Sequence, residues 1–187
     1  MVFKRLFKRN PCEAPARALY GAIVAQAREP AFYGDLGVPD TLDGRFELIA
    51  LHSFLVLHRL KRDGESTADL AQSLFDVLFQ DMDASLREMG AGDLGVGRRV
   101  KTMVKGFYGR AASYEAGLAQ GLVDRPEALS AALRRNLYGT VEPGAAALSA
   151  MAGYVAREAA VLARQDTEVL AAGAVVFGPP PGPGESP

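Results

Sequence analysis

The feature that most constrains this fold is the segment Phe46–Leu60, which is apolar on every side when it is wound as a helix. At 3.6 residues per turn, Leu57 faces one way while Leu48 faces the opposite way. A helix that is apolar all round is buried, either in a protein core or in a membrane. His52 and His58 interrupt the run, which is far shorter than the roughly 20 residues that cross a bilayer. The segment therefore predicts the central helix of a soluble domain.

Proline, glycine and capping residues divide the rest of the chain into helical segments. No alternating pattern of useful strand length occurs, so the predicted fold class is all-α: a single-domain helical bundle of about six helices with a buried central helix. The first predicted helix runs from Pro15 to near Arg28, and the central helix is capped by Asp43 and ends at Asp63-Gly64. The third helix is capped by Ser66 or Thr67 and stops at Gly90 after Met89, and the fourth runs from about Gly97 to Leu118. The fifth has a capping box at Asp124 and Glu127 and ends at Gly139, and the last helix follows Pro143.

Both ends of the chain differ in composition from the middle. We predict a basic flexible N-terminus at 1–13, a helical domain at 14–173 and a Pro/Gly-rich disordered tail at 174–187, because GPPPGPGESP lacks the apolar residues that packing requires. The start, MVFKRLFKRN, has no apolar h-region, so we do not expect a secretory signal. Instead of being disordered, residues 1–10 could make a weak, reversible contact with an anionic membrane surface.

Few residues in the chain are suited to catalysis or to metal binding. His52 and His58 are the only histidines, and six positions along a helix place them about 120° apart, so they cannot share a metal ion. The only cysteine, Cys12, excludes an internal disulfide. GAGDLG spells a dinucleotide-binding pattern but follows a predicted helix where that pattern requires a strand. We therefore expect a binding protein without catalytic, cofactor-binding or metal-binding residues, and not an enzyme.

One carboxylate, Asp81, falls inside the apolar stripe of the third helix, between the directions of Leu74 and Val77. An unpaired buried carboxylate costs several kcal/mol, so Asp81 requires a partner. One interpretation ties Asp81 to an arginine that holds the bundle in register, and the alternative places it at the rim of a groove where it contacts a client. The candidate arginines are Arg45, Arg98 and Arg99.

Charge is segregated between two neighbouring segments. Residues 63–93 contain eight acids and one base, whereas residues 97–110 contain five bases and no acid. The simpler interpretation is that adjacent helices pair along their edges, and the alternative is that the basic helix binds RNA or lipid head groups. The formal net charge of −1 gives no general attraction to DNA.

Two blocks of the sequence carry a family resemblance. They are EPAFYGDLGVPDTLDGRFELIALHSFLVLHRL at 29–60 and LFDVLFQDMDASLREMGAGDLGVGRRVKTMVKGFYGR at 74–110, with GVPDT, DGRF, LFDVLFQDMD, LREMG and FYGR all in order. Together they resemble the ubiquinol–cytochrome c chaperone family, over about half the chain from Leu19 to Leu118. The resemblance implies a helical assembly chaperone for the cytochrome bc1 complex that binds newly made cytochrome b.

The resemblance also implies partners and a location. Nascent cytochrome b is the expected client, together with the ribosome or a small partner protein, as for the mitochondrial members. For this chain we expect a cytoplasmic location, peripheral at the inner face of the cytoplasmic membrane.

We predict that the client surface combines the long loop Phe32–Pro39 with these two blocks. Two other classes stay open: a helical carrier of a small molecule such as haem or quinone, and an RNA-binding ribosome adapter. The candidate partner-binding residues are Tyr33, Asp40, Arg45, Asp81, Asp83, Arg87, Arg98 and Tyr108.

Overall fold

The computed structural model describes residues 10–88, 93–119 and 126–182, and all regular structure in these ranges is helical. The all-α prediction is confirmed, and two short helices, α2 and α8, add to the six that the sequence predicted. The predicted features at residues 1–9, Gly90, Gly92, Asp124 and 183–187 lie outside the described ranges. The helices are α1 (Glu13–Ala27), α2 (Ala31–Gly34), α3 (Leu42–Lys61), α4 (Glu65–Glu88), α5 (Asp93–Ala119), α6 (Pro126–Asn136), α7 (Ala145–Ala163) and α8 (Thr167–Ala171).

Helix α3 is the predicted central helix, and it packs against α1, α4, α5 and α7. Leu48, Leu51, Leu55 and Leu60 are buried on different sides of this helix, which confirms that it is enclosed by the bundle. Each such leucine contributes about 1.5–3 kcal/mol through its burial. Because α3 touches so many neighbours, its position fixes the relative positions of the other helices.

The start of α3 differs from the prediction. Thr41, not Asp43, is the N-cap: its backbone is extended, and its side chain accepts a hydrogen bond from the Gly44 amide at 3.1 Å. Asp43 lies within the first turn, where its charge favours the positive end of the helix dipole. A Cβ atom on Gly44 would lie 2.0 Å from the Pro39 carbonyl oxygen, so only glycine permits this close approach of the preceding loop.

Ser66 and Thr67 do not cap α4 as predicted. Their hydroxyls donate backwards, Ser66 to the Asp63 carbonyl at 2.8 Å and Thr67 to the Leu60 carbonyl at 2.6 Å. The turn at Gly64, which has a φ of 61°, is so tight that these hydroxyls lie beside the end of α3 and satisfy its carbonyls.

The C-terminal half of α3 is joined to α7 and α8 by one buried guanidinium. Arg59 donates to the carbonyls of Leu162 (2.9 Å) and Gln165 (2.8 Å) and to the carboxylate of Asp63 (2.5 Å). The Thr167 hydroxyl donates to the same carboxylate at 2.7 Å. Arg59 therefore satisfies carbonyls at the C-terminal end of α7 that the helix itself leaves without donors.

A polar network crosses the core at the middle of α3. His52 is fully buried, with Nδ1 2.8 Å from the Leu48 carbonyl oxygen and Nε2 2.8 Å from the Tyr154 hydroxyl. Because a carbonyl only accepts, Nδ1 donates and Nε2 accepts from Tyr154. Burial lowers the pKa of His52 to about 4, so the ring is neutral at pH 7. Both ring nitrogens of His52 are therefore satisfied by hydrogen bonds within the core.

Both predicted flexible ends are ordered where the structure describes them. Within 174–182, predicted to be disordered, Phe177 packs against His52, the Gly178 amide donates to Glu158 at 2.8 Å, and the Gly178 carbonyl accepts from Gln26 at 2.8 Å. The prolines that follow have no backbone N–H group to satisfy, so this segment can cross the surface as a strap without strand pairing. At the other end, the Asn10 amide donates to the Ser73 hydroxyl, which ties residues 10–13 to α4.

Within the described ranges, α7 alone is long and apolar enough to cross a membrane by length and composition. Core helices of globular domains pass the same test. Leu148, Met151, Val155 and Leu162 of α7 are buried, and the helix packs against α3 and α6. We therefore describe α7 as a core helix.

Candidate functional site

Two adjoining clefts open beside the N-terminal half of α3. The larger cleft, about 940 Å³, lies between this part of α3, the C-terminal part of α4, α5 and the end of α6. The smaller cleft, about 740 Å³, lies between α3, the end of α1, the α2 region and α4. Both are lined by Leu42, Phe46, Met82 and Ser85, which form the ridge between them.

The surfaces of both clefts are mainly apolar. Leu42, the first residue of α3, is 56% exposed and lines both clefts. Met82 and Met103, whose unbranched side chains adapt to irregular partners, line the larger cleft. An exposed apolar surface of this kind with polar edges is typical of sites that bind other polypeptides.

One ion pair forms the wall of the larger cleft. The Arg110 Nε atom of α5 donates to Glu47 Oε2 of α3 at 2.6 Å, and a second guanidinium nitrogen donates to the other carboxylate oxygen. Burial raises the pKa of Glu47, and the guanidinium opposes that rise. A Cβ atom at Gly106 would lie 2.5 Å from Arg110, so the glycine provides the space that the guanidinium occupies. The guanidinium also lies 6.0 Å from the Phe46 ring centroid.

The rim of the larger cleft is basic. Arg98 and Arg99, both exposed, lie on the α5 side, and Arg135 lies at the end of α6, where it donates to the Ser113 hydroxyl at 2.9 Å. Among the described residues that line this cleft, Asp43 is the only acid besides Glu47. The cleft therefore combines an apolar surface with a positive edge.

The smaller cleft brings together four of the predicted site residues: Tyr33, Asp40, Arg45 and Asp81. The Tyr33 hydroxyl donates to the Ala27 carbonyl at 2.8 Å, which ties the loop to the end of α1, and burial raises the pKa of Tyr33. Asp40 and Arg45 form an exposed ion pair at 2.6 Å. The Arg45 side chain lowers the pKa of Asp40 by its hydrogen bond. These residues form the polar edge of the smaller cleft.

Of the two interpretations of Asp81, the one that buries it against an arginine is wrong, and the structure instead places Asp81 at the edge of the smaller cleft. Asp81 is exposed, and it accepts a hydrogen bond from the Tyr20 hydroxyl of α1 at 2.7 Å. Burial raises the pKa of Tyr20, and the neighbouring carboxylate raises it further. The stripe of α4 faces the core as far as Leu78, but at Asp81 the same side of the helix faces the cleft.

The other predicted site residues are distributed over the surface. Arg98 lines the larger cleft. Asp83 accepts from Arg87 at 2.6 Å in an i,i+4 pair on α4, and neither residue lines the two clefts. Tyr108 is 60% exposed and lies 5.5 Å from the Phe75 ring centroid, in an aromatic cluster between α4 and α5.

Sequence reasoning missed several residues that shape the larger cleft. Glu47 is a carboxylate inside an otherwise apolar run, and this alone indicated that it needs a partner. Arg110 follows Gly106 by one helical turn, which is the spacing at which a glycine makes room for a long side chain. The Asn136 side chain also escaped notice; its amide nitrogen is buried at the cleft, beside the Tyr114 hydroxyl.

Comparison with known proteins gives consistent matches. The sequence model described as ubiquinol-cytochrome C chaperone matches residues 34–177. The ubiquinol-cytochrome-c reductase complex assembly factor 1 of Xenopus laevis is 25% identical over 165 residues, which are 88% of this chain and 80% of that protein. The corresponding factor of Mus musculus is 23% identical over 123 residues, and this match spans 40% of that protein's length.

A solved structure is more similar still. The crystal structure of the Cbp3 homolog from Brucella abortus shares 40% sequence identity with this chain at a TM-score of 0.78. The match covers 90% of this chain and 91% of that one. Similarity in both sequence and fold therefore extends over nearly the whole helical domain.

Proposed function

Because the chain belongs to the ubiquinol–cytochrome c chaperone family, we propose that it assists assembly of the ubiquinol–cytochrome c reductase (bc1) complex by holding newly made cytochrome b in the two clefts beside α3. The observation that carries the proposal is the apolar ridge of Leu42, Phe46 and Met82 between the clefts, on which Leu42 is exposed to water. Such a ridge can shield apolar segments of a membrane protein from water before they insert.

The work of such a chaperone is reversible binding, and the clefts are suited to it. Each has an apolar surface, which favours association, and a charged edge, which stays hydrated and limits the affinity. The Asp40–Arg45 pair and Asp81 belong to the edge of the smaller cleft, while Arg98 belongs to the edge of the larger one. We propose that these residues contribute to partner binding, with Tyr33 holding the loop in place.

Asp83, Arg87 and Tyr108 lie away from the clefts. They remain candidates for a second contact, with the ribosome or with a small partner protein, on the outer side of α4 and α5. A location at the cytoplasmic face of the membrane, with residues 1–10 in weak contact with it, completes the proposal.

The direct test is a pull-down of the whole chain against nascent cytochrome b and an unrelated polytopic membrane protein at moderate salt. Selective capture of cytochrome b is the expected result. Equal capture of both proteins, or capture of neither, would contradict the proposal.

One observation favours a second candidate, a carrier of haem or quinone. A cleft of about 940 Å³ lies within the range of small-molecule sites. Titration of the purified protein with haem and with a ubiquinone analogue tests this candidate. Saturable binding that a substitution at Met103 abolishes would support it.

A further inference from the structure

We infer that the larger cleft binds an amphipathic helical segment of a partner polypeptide that carries carboxylates along one edge. The inference deepens the proposed function and rests on it in one respect, since it takes this cleft as a site where the client is held. It adds the chemistry by which a client segment is selected.

The first argument is the charge of the rim. Four arginines and two acids line the larger cleft, and the acid Glu47 is already engaged by Arg110. Neither Arg98 nor Arg99 forms an ion pair with another residue of the described ranges, and Arg135 donates only to the Ser113 hydroxyl there. Among the lining residues that the structure describes, three exposed guanidinium groups therefore face the cleft, and Asp43 is the one acid left without an arginine partner. Guanidinium groups bind carboxylates in a planar, often bidentate geometry.

The second argument is the contrast with the smaller cleft. There two arginines, Arg28 and Arg45, are matched by Asp40 and Asp81. The positive charge is thus confined to one of two adjoining apolar sites and does not reflect a generally basic surface, as the net charge of −1 also indicates. Charge complementarity at a cleft edge contributes mainly to partner selection and to the rate of association.

The third argument concerns the size and the shape of the site. The two clefts adjoin along one ridge and together exceed the roughly 300–1,000 Å³ that is usual for a drug-sized ligand. Apolar contacts from Leu42, Phe46, Met82 and Met103 are arranged to receive the apolar face of a helix, as in other helix-in-groove complexes. A carboxylate edge on that helix would meet Arg98, Arg99 and Arg135.

The rim also disfavours particular partners. Cytoplasmic loops of membrane proteins carry an excess of lysine and arginine. Juxtaposition of such a loop with the three rim arginines would place like charges together and weaken binding. The larger cleft would therefore discriminate against the basic loop segments of membrane proteins and favour a segment with acidic residues.

The probe for the test is a helix-stapled, fluorescein-labelled peptide of about fifteen residues with leucines on one face and glutamates along one edge. Its twin carries glutamine in place of each glutamate. We expect the glutamate peptide to bind the whole chain at least about tenfold more tightly than the twin, with an affinity that falls as salt rises. Equal affinity of the two peptides would overturn the inference.

A pair of triple variants locates the site. Arg98→Gln/Arg99→Gln/Arg135→Gln is expected to weaken binding of the glutamate peptide by about tenfold or more. The matched control, Lys101→Gln/Lys105→Gln/Arg134→Gln, removes the same charge from the same two helices at positions outside the cleft, and it is expected to change the affinity less than about twofold. Equal losses of affinity in both variants would show a general electrostatic attraction of the peptide. That result would contradict the assignment of its binding site to the larger cleft.

Vesicle binding and the cytochrome b pull-down distinguish the inferred site from a lipid site and from a failure of the proposed function. Binding of phosphatidylglycerol vesicles through the three rim arginines, without binding of the peptide, would assign the cleft to lipid and contradict the inference. In the cytochrome b pull-down, undiminished capture by the rim variant would overturn the inference while the proposed function stands. Absence of capture by the unmodified protein would instead contradict the proposed function itself.

Discussion

The two halves of helix α3 lie in opposite environments. The C-terminal half, from His52 to Lys61, packs against α7, α8 and the 174–182 strap, and hydrogen bonds join its buried His52 and Arg59 to α7. The N-terminal half is open over Leu42–Glu47, which face the two clefts and leave the Leu42 side chain in contact with water. The comparison indicates that the sealed half supports the fold, while the open half is available for binding. Substitutions in the two halves should therefore affect different measurements.

The largest effect is expected from Arg59→Met in the sealed half. The substitution leaves the Leu162 and Gln165 carbonyls and the Asp63 carboxylate without their guanidinium donor, which should lower the free energy of unfolding by about 3–5 kcal/mol. Urea denaturation measures the change. The matched control is Arg62→Met, an exposed position three residues along, where a change within about 0.5 kcal/mol is expected. Similar losses for both variants would show that Arg59 has no special role.

The next effect is a pH dependence of stability that originates at His52. Its folded pKa of about 4 lies below the ordinary value of 6.5, so the unfolded chain binds more protons between these values. Stability from this group is complete above about pH 6.5, declines as the pH falls, and is lost below about pH 4, by about 3 kcal/mol in all. Glu47, whose pKa is raised, acts in the opposite direction near its own pKa.

The comparison that isolates His52 is between the unmodified protein and His52→Gln, with unfolding followed at several pH values. The variant is expected to be less stable at pH 7, but its stability should change less between pH 6.5 and pH 4. Identical slopes for the two proteins would contradict a neutral, buried imidazole.

In the open half, Leu42→Asp should leave the fold intact and weaken binding. Leu42 is 56% exposed, so its replacement should alter the free energy of unfolding by less than about 0.5 kcal/mol. A charge on the ridge between the clefts should reduce capture of cytochrome b by about tenfold. Val169→Asp is the control, an apolar residue of similar exposure on α8, and it should retain full capture. A large loss of stability for Leu42→Asp would contradict the claim that the open half serves binding and not the stability of the fold.

The smallest effect on stability is expected for Arg45→Ala. The Asp40–Arg45 pair is exposed, so its loss should leave the unfolding midpoint unchanged. A moderate loss of cytochrome b capture is expected because Arg45 belongs to the edge of the smaller cleft. A folded Arg45→Ala protein with full capture would remove Arg45 from the proposed surface.

The sequence predicted the helices better than their ends. The central helix followed from apolar residues on all sides of Phe46–Leu60, because burial determines that pattern. The N-cap residue of this helix could not be predicted, because Thr41 and Asp43 are both suitable N-cap residues. The choice between them depends on how closely the loop at Pro39 approaches Gly44. The ordered strap at 174–182 was missed because it is held by hydrogen bonds to Gln26 and Glu158, which composition does not reveal.

The candidate site was predicted in part for a related reason. Tyr33, Asp40, Arg45 and Asp81 come together because the predicted loop and third helix do adjoin. The periodicity of α4 placed Asp81 in the core, yet a stripe along one helix does not show where the neighbouring helices end and a cleft begins. The basic rim required knowledge that α6 ends beside α5, since Arg135 is distant in sequence from Arg98.

The most direct test of the account is photo-crosslinking to newly made cytochrome b in a translating extract. A photoreactive residue is placed at Leu42, on the ridge between the clefts, or at Val169, an exposed residue of α8 that lines neither cleft. The account predicts a strong crosslink to cytochrome b from position 42 and little or none from position 169. Crosslinks of equal strength from both positions, or a crosslink from position 169 alone, would contradict the assignment of client binding to the open half of α3.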